Sequence, residues 1–431
     1  MAQEERSADK LLNNQSSAQN FYCNLEIAGS AIPPRNISYL ALREWVLPTS
    51  LVPRLELSVF DDGLLSELKT PYYNQKIYLE LGRSEEDDSP IEMIFDIYDY
   101  SIDKVGDNAQ NLINITALIS MNDPFVNPSK PVIYDQQSSD QVIETIGDRM
   151  FGTIHSGYKF KKGNISASDT MTRIQSYESD MDFLKSVLQW SYVGSGDSAL
   201  AFVNSKAELH YAPLINSFIQ EPVFTARYDV QLAVSQSKAE MKKLAVEKGY
   251  TEKNALNDIW YSSINIRDYS GTIRTQWGFA SESTFFRRDK STYTSNIFSL
   301  NINNTDANIY SPYLSKNTFY WYSGTVGINE SENNQNAYVI KQNLITQLFS
   351  QSVLIEINSY TDVNLMDTIY LNVNADIKTS NDFPINEKLS GTYLVGGITH
   401  TVGGSGSLYK KILTLFRTGV NKAGFTGVEQ E

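Results

Sequence analysis

The stretch LSGTYLVGGITHTVGGSGSLYKKILTLFRT, residues 389–418, decides the fold of the chain. Two runs with strand character, residues 391–401 and 407–417, flank a cluster of small residues. The cluster consists of Gly403, Gly404, Ser405 and Gly406. Glycine adopts the positive φ angles of a tight turn at low steric cost. The pattern therefore predicts a β-hairpin.

Apolar side chains occupy both faces of the hairpin's second arm. One face carries Ile412, Thr414 and Phe416, and the other carries Leu413, Leu415 and Arg417. Because successive side chains of a strand point to opposite faces, such a strand lies on a core with one face and on a neighbouring wall with the other. We therefore expect the hairpin to be covered on both sides.

The same residues carry a family resemblance. The strand Gly-Thr-Tyr-Leu-Val at residues 391–395, then His400, a Gly-rich turn and a last strand at residues 409–417 resemble the closing hairpin of tailed-phage baseplate central hub proteins. These contractile-tail hubs are related to the N-terminal part of the type VI secretion spike protein. The resemblance implies a mainly β, α+β chain with two related antiparallel, tube-like β-barrels, an α+β module and an inserted mixed domain between them.

Composition and charge limit the function classes. A chain of 431 residues predicts two to four domains, and 41% hydrophobic content with 12% aromatic residues is enough for real cores. The 36 basic and 50 acidic residues give a formal charge of -14. This charge balance argues against a surface that wraps nucleic acid, which needs clustered Lys and Arg, and is compatible with a conduit through which DNA slides.

Cysteine count and hydropathy bear on location. The single cysteine, Cys23, excludes an intramolecular disulfide, which fits cytoplasmic assembly. The N-terminal sequence MAQEERSADK lacks the apolar core of a signal peptide, and no run approaches about 18 apolar residues. We expect no membrane span.

The first half of the chain divides into an arm and two modules. Residues 1–20 are polar and predict a flexible arm, and residues 21–125 predict the first β-barrel. Its strand-like runs are residues 21–27, 55–60, 76–81, 91–98 and 112–119, with a short helix at 63–71. Residues 126–212 predict an α+β module, with one helix capped by Ser138 or Ser139, a second capped by Ser179, and a hairpin at 199–211.

The second half is harder to divide. Residues 213–350 predict a mixed insertion domain with a polar helix at 235–248, residues 351–425 the second β-barrel, and residues 426–431 a tail. In an alternative that the sequence leaves open, residues 222–232 belong to the second barrel and 235–349 are inserted into it. The triplet Ile-Tyr-Leu occurs at residues 77–79 and again at 369–371. With the resemblance, this repeat favours two related barrels.

The residues provide no assembled catalytic, cofactor or metal site. Only three histidines exist, His155, His210 and His400, and they are scattered over three predicted modules. The Gly-Asp-Ser block at 196–198 lacks a downstream Asp-x-x-His and predicts a loop. The acidic residues at 85–88, with Asp96, Asp99 and Asp103, match neither a calcium loop nor a placed glycosidase pair.

One aromatic cluster is our candidate for an interface. Trp321, flanked by Tyr320 and Tyr322, lies in an Asn- and Tyr-rich region at residues 293–340. Tyr and Trp are common anchors in protein interfaces. Burial of Trp321 in a core is the competing interpretation, and carbohydrate stacking is another.

The resemblance implies a structural, non-enzymatic hub. It predicts a homotrimeric ring in the virion tail baseplate, assembled in the host cytoplasm, that joins the sixfold tail tube to the threefold spike. The expected partners are tail tube, central spike, tape measure and surrounding wedge proteins, with DNA only in transit and no cofactor. The alternatives are a receptor- or carbohydrate-binding β protein and an acid-based glycan hydrolase.

Overall fold

The computed structural model describes residues 22–46, 51–61, 75–82, 90–105, 110–194, 197–235, 238–268, 280–287, 292–299, 314–318, 337, 341, 345, 348–358, 361–373, 389–403 and 409–417. The predicted arm at 1–20, the predicted helix at 63–71 and the predicted tail at 426–431 lie outside these residues. No helix within this part of the chain is long and apolar enough to span a membrane.

Seven strands form the first module. They are β1 (Tyr22–Ile27), β2 (Ser30–Ile32), β3 (Ile37–Trp45), β4 (Arg54–Phe60), β5 (Lys76–Gly82), β6 (Ile91–Val105) and β7 (Gln110–Ile119), with a 3-10 helix at Pro34–Asn36. The five strands predicted from the sequence in this region are confirmed. The strand β3 was not predicted, and it turns out to join the two halves of the molecule.

Helices and short sheets follow in the α+β module. Its elements are β8 (Val132–Gln137), α1 (Ser139–Phe151), β9 (Lys159–Lys162), β10 (Met171–Gln175), α2 (Asp180–Gln189), β11 (Ala199–Val203), β12 (Glu208–Pro213) and α3 (Leu214–Phe218). Both predicted caps are confirmed. The Ser138 N–H donates to Gln141 Oε1 at 3.0 Å, and the Asp182 N–H donates to Ser179 Oγ at 3.2 Å. The strands β11 and β12 form the predicted hairpin.

The remaining described elements complete the chain. They are β13 (Phe224–Tyr228), α4 (Val230–Ala233), α5 (Lys238–Glu247), α6 (Glu252–Asn257), β14 (Ile259–Asp268), β15 (Ala280–Arg287), β16 (Thr292–Ser299), β17 (Leu314–Thr318), β18 (Gln351–Asn358), β19 (Thr368–Leu371), β20 (Gly391–Gly403) and β21 (Lys410–Arg417). The strands β20 and β21 are the predicted hairpin, with Leu413 and Leu415 fully buried. Residues 404–408, the tip of its turn, lie outside the described residues.

The second module is a closed ring of six strands. Its order is β19-β13-β14-β18-β21-β20, and a pairing between β20 and β19 closes it. Two of these strands, β13 and β14, come from the predicted insertion at 213–350. The alternative that assigns residues 222–232 to the second barrel accounts for β13 but not for β14, which lies in the part at 235–349 that it treats as inserted. The ring is also not purely antiparallel, because β13 runs parallel to both of its neighbours. Each edge of the short β13 is thereby hydrogen-bonded, which satisfies its backbone groups.

Five strands of each module repeat the same pairing. The order β3-β4-β7-β6-β5 in the first module corresponds to β14-β18-β21-β20-β19 in the second, in the same chain order and all antiparallel. The register repeats as well. Ile77 pairs with Phe95 as Ile369 pairs with Tyr393, within the two Ile-Tyr-Leu segments. The repeat predicted from that triplet therefore extends through five strands.

Irregularities of the pairing occur at equivalent positions. The β6 strand has a bulge between Ile97 and Asp99, and β20 has one at the equivalent residues Val395 and Gly397. A second bulge lies at Ile37/Tyr39 in β3 and at Tyr261/Ser263 in β14. A bulge fixes the pairing register of a strand and changes its direction. Because the bulges recur at matching positions, they identify which residue of one module is equivalent to which residue of the other.

The described residues form three separate apolar cores. One large apolar cluster fills the first module and reaches into the α+β module through α1 and α2, and a second fills the six-stranded ring. A small cluster around Trp260 packs α4, α5 and α6 onto β14. The two modules meet where β3 pairs with β20, so that thirteen strands form one sheet.

Candidate functional site

The seam between the two modules is a β-ladder from Gly397–Trp45 to Gly403–Tyr39, in which β20 and β3 run antiparallel. Two glycines allow this close approach. A Cβ atom at Gly397 would lie 2.8 Å from the Trp45 ring, and one at Gly396 would overlap the Phe416 ring. Aromatic rings therefore pack directly against both glycines, and no larger residue fits at positions 396 and 397 without a shift of these rings.

A buried polar cluster lies on the seam. Glu44 of β3 and His400 of β20 are both nearly inaccessible, and Nε2 of His400 lies 2.9 Å from Oε1 of Glu44. Nδ1 of His400 lies 2.6 Å from the Tyr409 hydroxyl. The Ser205 N–H of the β11–β12 turn donates to the second oxygen of Glu44. Glu44 thus links the first module, the second module and the α+β module.

The protonation state of the His400 ring follows from its hydrogen-bond partners. Burial lowers the pKa of His400 below its usual value, although the neighbouring Glu44 carboxylate opposes this shift. A neutral ring that donates from Nε2–H to Glu44 and accepts from the Tyr409 hydroxyl satisfies all three groups. The Glu44–His400–Tyr409 cluster fixes the two strands relative to each other. Because its side chains are buried and bonded to one another, we assign it a structural role.

A polar face covers the side of the sheet that points away from the two cores. Its cations are paired with carboxylates: Arg43 Nη2 lies 2.9 Å and Arg54 Nε 3.3 Å from Glu56, and Lys410 Nζ lies 2.6 Å from Glu356. All five side chains are partly exposed. Such exposed pairs add little stability, but they neutralise cations that would otherwise attract phosphate.

The polar face continues toward β6 through neutral hydrogen bonds. Ser58 donates to Asn114 Oδ1 at 2.6 Å, and Asn114 donates to an Asp103 oxygen at 2.7 Å. Acceptors and carboxylates therefore run from the seam to the edge of the first module. We refer to the residues Arg43, Arg54, Glu56, Ser58, Asp103, Asn114, Glu356 and Lys410 as the polar face.

Within the five repeated strands of each module, two strand edges have no partner strand among the described residues. From Ser101 to Val105, β6 pairs with β7 on one side and with no described strand on the other. From Ser263 to Arg267, β14 pairs only with β18. Ile102 on the first edge is 43% exposed. Such edges are templates for pairing with another chain.

The residues singled out from the sequence lie apart from this seam, with one exception. Trp321, Tyr320 and Tyr322 lie outside the described residues, as does the acidic loop at 85–88. His155 contacts the Ser120 carbonyl at 2.9 Å, and His210 stacks on Phe202 at 4.9 Å. Burial lowers the pKa of both rings. Only His400 is part of the seam.

The Gly-Asp-Ser block is a structural turn. Asp197 accepts from the Ile215 N–H and the Ser198 N–H, both at 2.7 Å, and so caps α3. Burial raises the pKa of Asp197. Residues 195 and 196 lie outside the described part, and within that part no group of three His, Cys, Asp or Glu side chains is arranged to hold a metal.

Glu44 and the strand β3 were missed from the sequence. The segment Ile37–Trp45 does carry strand formers, ISYLALREW. It lacks clean alternation, because Leu40, Ala41 and Leu42 are all buried in succession. A run that is buried on both faces is typical of a strand between two neighbours, and this signal could have identified β3.

Comparisons with known proteins bear on this architecture. No protein-family model and no curated protein sequence matches the chain. Among solved structures, the tail protein from Neisseria meningitidis MC58 superposes with a TM-score of 0.54 at 8% identity, covering 94% of this chain and 98% of that chain. The chain shares its fold with phage tail proteins.

A second tail protein gives the same result. The 43 kDa tail protein of prophage MuSo2 from Shewanella oneidensis superposes with a TM-score of 0.51 at 9% identity, covering 92% of this chain and 98% of that chain. The tail-protein fold therefore extends over nearly the whole length of all three chains. The fold predicted from the closing hairpin, mainly β with barrel and α+β parts, is confirmed.

Proposed function

We propose that the protein is the structural hub of a phage tail baseplate, a homotrimeric ring that joins a sixfold tail tube to a threefold spike. The observation that carries this proposal is the duplication of five strands, with equivalent bulges, in each chain. Three chains then present six similar modules, which match the subunits of a sixfold ring. A single-module protein would need six copies to do the same.

The seam fixes how neighbouring modules meet. Within one chain the two modules pair side by side through β3 and β20, and their register is held by the buried Glu44–His400 contact. Repetition of this lateral contact around an axis gives a ring whose continuous sheet surrounds a channel.

The polar face suits a channel lining. Its Arg and Lys side chains are paired with Glu56 and Glu356, so that a passing polyanion meets few free cations. The formal charge of -14 acts in the same direction. Tape measure protein and DNA would therefore pass during ejection without being retained.

The remaining contacts follow from the position of a hub. The tube protein binds one end of the ring, the central spike protein the other, and wedge proteins surround it, in a virion baseplate assembled in the host cytoplasm. Trp321, with Tyr320 and Tyr322, is our candidate for contact with one of these partners. The role is structural, with no chemical step assigned to the chain.

The assembly is tested by native mass spectrometry of the purified chain, alone and mixed with tail tube protein. We expect a trimer of about 146 kDa, three times the 48.6 kDa chain. The trimer should bind to the end of assembled tubes. A chain that stays monomeric under both conditions and binds a glycan array instead would contradict the hub and favour a carbohydrate-binding tail protein.

A further inference from the structure

A cleft of about 470 Å³ lies between the α+β module and the second module. One wall consists of residues that follow β9 and of helix α3, and the other is the loop that precedes β19. The lining includes three carboxamides, one carboxylate and two apolar side chains, namely Asn164, Asn216, Gln220, Asp367, Leu365 and Met366. We refer to it as the Asp367 cleft. Its volume is in the range of ligand-binding pockets.

Asp367 is the only charged side chain among the described residues that line the cleft. Its Oδ2 atom accepts from the backbone N–H of Asn364 at 2.8 Å and from Nδ2 of the same residue at 3.4 Å. Both donors are neutral. Burial raises the pKa of Asp367 above its usual value, although these hydrogen bonds oppose the shift. A cation that enters the cleft would therefore stabilise a half-buried carboxylate.

The lysines that precede the cleft wall in sequence have other partners. Lys161 Nζ lies 3.6 Å from a Glu208 oxygen, and Lys162 pairs with Asp140. Each of these ammonium groups thus already faces a carboxylate outside the cleft. The charge of Asp367 is left for a cation from elsewhere.

The duplication supplies an internal reference for Asp367. Its equivalent in the first module is Gln75, since each residue lies two positions before an Ile-Tyr-Leu triplet. The Val395 N–H donates to the Asp367 carbonyl oxygen at 2.8 Å, and the Ile97 N–H donates to the Gln75 carbonyl oxygen at 3.3 Å. The repeat therefore accepts a neutral side chain at this position. The negative charge belongs to the second module, where the cleft lies.

The backbone fixes Asp367 at the wall of the cleft. The preceding residue, Met366, has a φ angle of 70°, which a non-glycine residue adopts rarely and at a cost in energy. The Met366 N–H donates to the Val395 carbonyl oxygen at 2.9 Å, next to the contact between Val395 and Asp367. Residues held in this conformation are concentrated at functional sites, ligand clamps among them.

We propose that the Asp367 cleft binds an aliphatic cation, an ammonium or guanidinium group on an alkyl stem. An ammonium group has three N–H donors and no acceptor, so the carboxylate and the carboxamide oxygens of the cleft are matching partners. Leu365 and Met366 provide apolar surface for the stem. The cation is either a lysine or arginine side chain of another protein or a free alkylamine. The site lies within one chain and does not depend on the trimeric ring.

Calorimetric titration of the purified chain tests the site. Salt at about 0.15 M screens non-specific attraction to the acidic surface. The probes are 1,4-diaminobutane, the peptide acetyl-Gly-Gly-Lys-Gly-Gly-amide, and the same peptide with norleucine, which keeps the alkyl stem without the charge. We expect one site for each cationic probe and at least about tenfold weaker binding of the norleucine peptide. Tighter binding of the lysine peptide than of the diamine indicates a protein side chain, and the reverse order a free amine.

Substitutions locate the binding. Asp367→Asn retains an acceptor for the Asn364 N–H and removes the charge, so both cationic probes should bind at least about tenfold more weakly. The matched control, Asp362→Asn, removes an exposed carboxylate of the same loop and should bind like the parent. If Asp367→Asn does not fold, Asn216→Ala at an exposed position of α3 should still weaken binding.

Three results would overturn the proposal. The first is equal binding of the lysine and norleucine peptides by the parent chain. The second is unchanged binding of the cationic probes by a folded Asp367→Asn variant, or by Asn216→Ala in its place. The third is a parent chain that binds neither cationic probe.

Discussion

Lys341 is a buried lysine, with 4% of its surface exposed. Its Nζ atom is buried and donates to two carbonyl oxygens, Leu188 at 2.8 Å and Ala199 at 2.9 Å. It thereby ties the segment that precedes β18 to α2 and β11. Burial alone lowers the pKa of Lys341 to about 7, because removal from water disfavours the charged form.

This residue predicts a pH-dependent stability. Since the folded pKa lies below the ordinary 10.5 of lysine, the unfolded chain binds more protons, and stability rises with pH above about 7. We expect a slope of up to about 1.4 kcal/mol per pH unit between pH 7 and 9 in urea unfolding. Above pH 9 the thiol of Cys23, whose pKa is raised, opposes the trend.

Substitution of Lys341 shows whether this residue, and not another titrating group, causes the rise of stability with pH. Lys341→Met should remove it, whereas Lys185→Met, at an exposed position of α2, should retain it. Below pH 6.5 the three histidines act in the same direction as Lys341, because their lowered pKa values make protonation favour the unfolded chain. A Lys341→Met variant with the parent's slope would contradict the burial of a neutral amine.

Elements whose apolar residues recur at the spacing of a helix or a strand were predictable from the sequence. Helix α1 with Val142, Ile146 and Met150 on its buried side, and the hairpin of β20 and β21, follow from caps, glycines and alternation. The strand β13 was ambiguous, because its place depends on a parallel pairing with β19, which lies more than a hundred residues away. Such long-range pairing leaves no local signal.

The seam could be predicted only in part. His400 was visible as an isolated histidine, but its partner Glu44 is 356 residues away in sequence and lies on a strand without alternation. The Ile-Tyr-Leu triplets indicated a repeat, whereas the bulges that define its register appear only once the strands are paired. The open edges of β6 and β14 became visible through the same comparison.

The carboxylates of the polar face are expected to prevent DNA binding by the cations beside them. In Glu56→Gln/Glu356→Gln, the cations Arg43, Arg54 and Lys410 lose their carboxylate partners. We expect this variant to bind a short DNA duplex, measured by fluorescence anisotropy at low salt, where the parent does not. The log–log salt dependence should steepen by up to about 3, roughly 0.9 for each freed cation.

A matched control carries one charge change away from the sheet. Glu247→Gln on α5 removes an exposed carboxylate without touching the polar face. It should leave DNA binding at the level of the parent. Equal binding by the parent, the double variant and this control would show that the paired cations play no part in excluding polyanions.

At the scale of the whole molecule, each chain contains two related modules, so the proposed trimer would present six similar modules. The strands β6-β7-β4-β3 of the first module continue into β20-β21-β18-β14 of the second. The threefold character then lies in what differs between the modules, namely β1, β2 and β13 and the α+β module.

An averaged electron-microscopy image of the assembled ring, viewed down its axis, tests this account most directly. The account predicts three copies that present six similar densities around an open channel, with one continuous sheet facing the channel. A ring with three densities only, or with its sheets facing away from the channel, would contradict it.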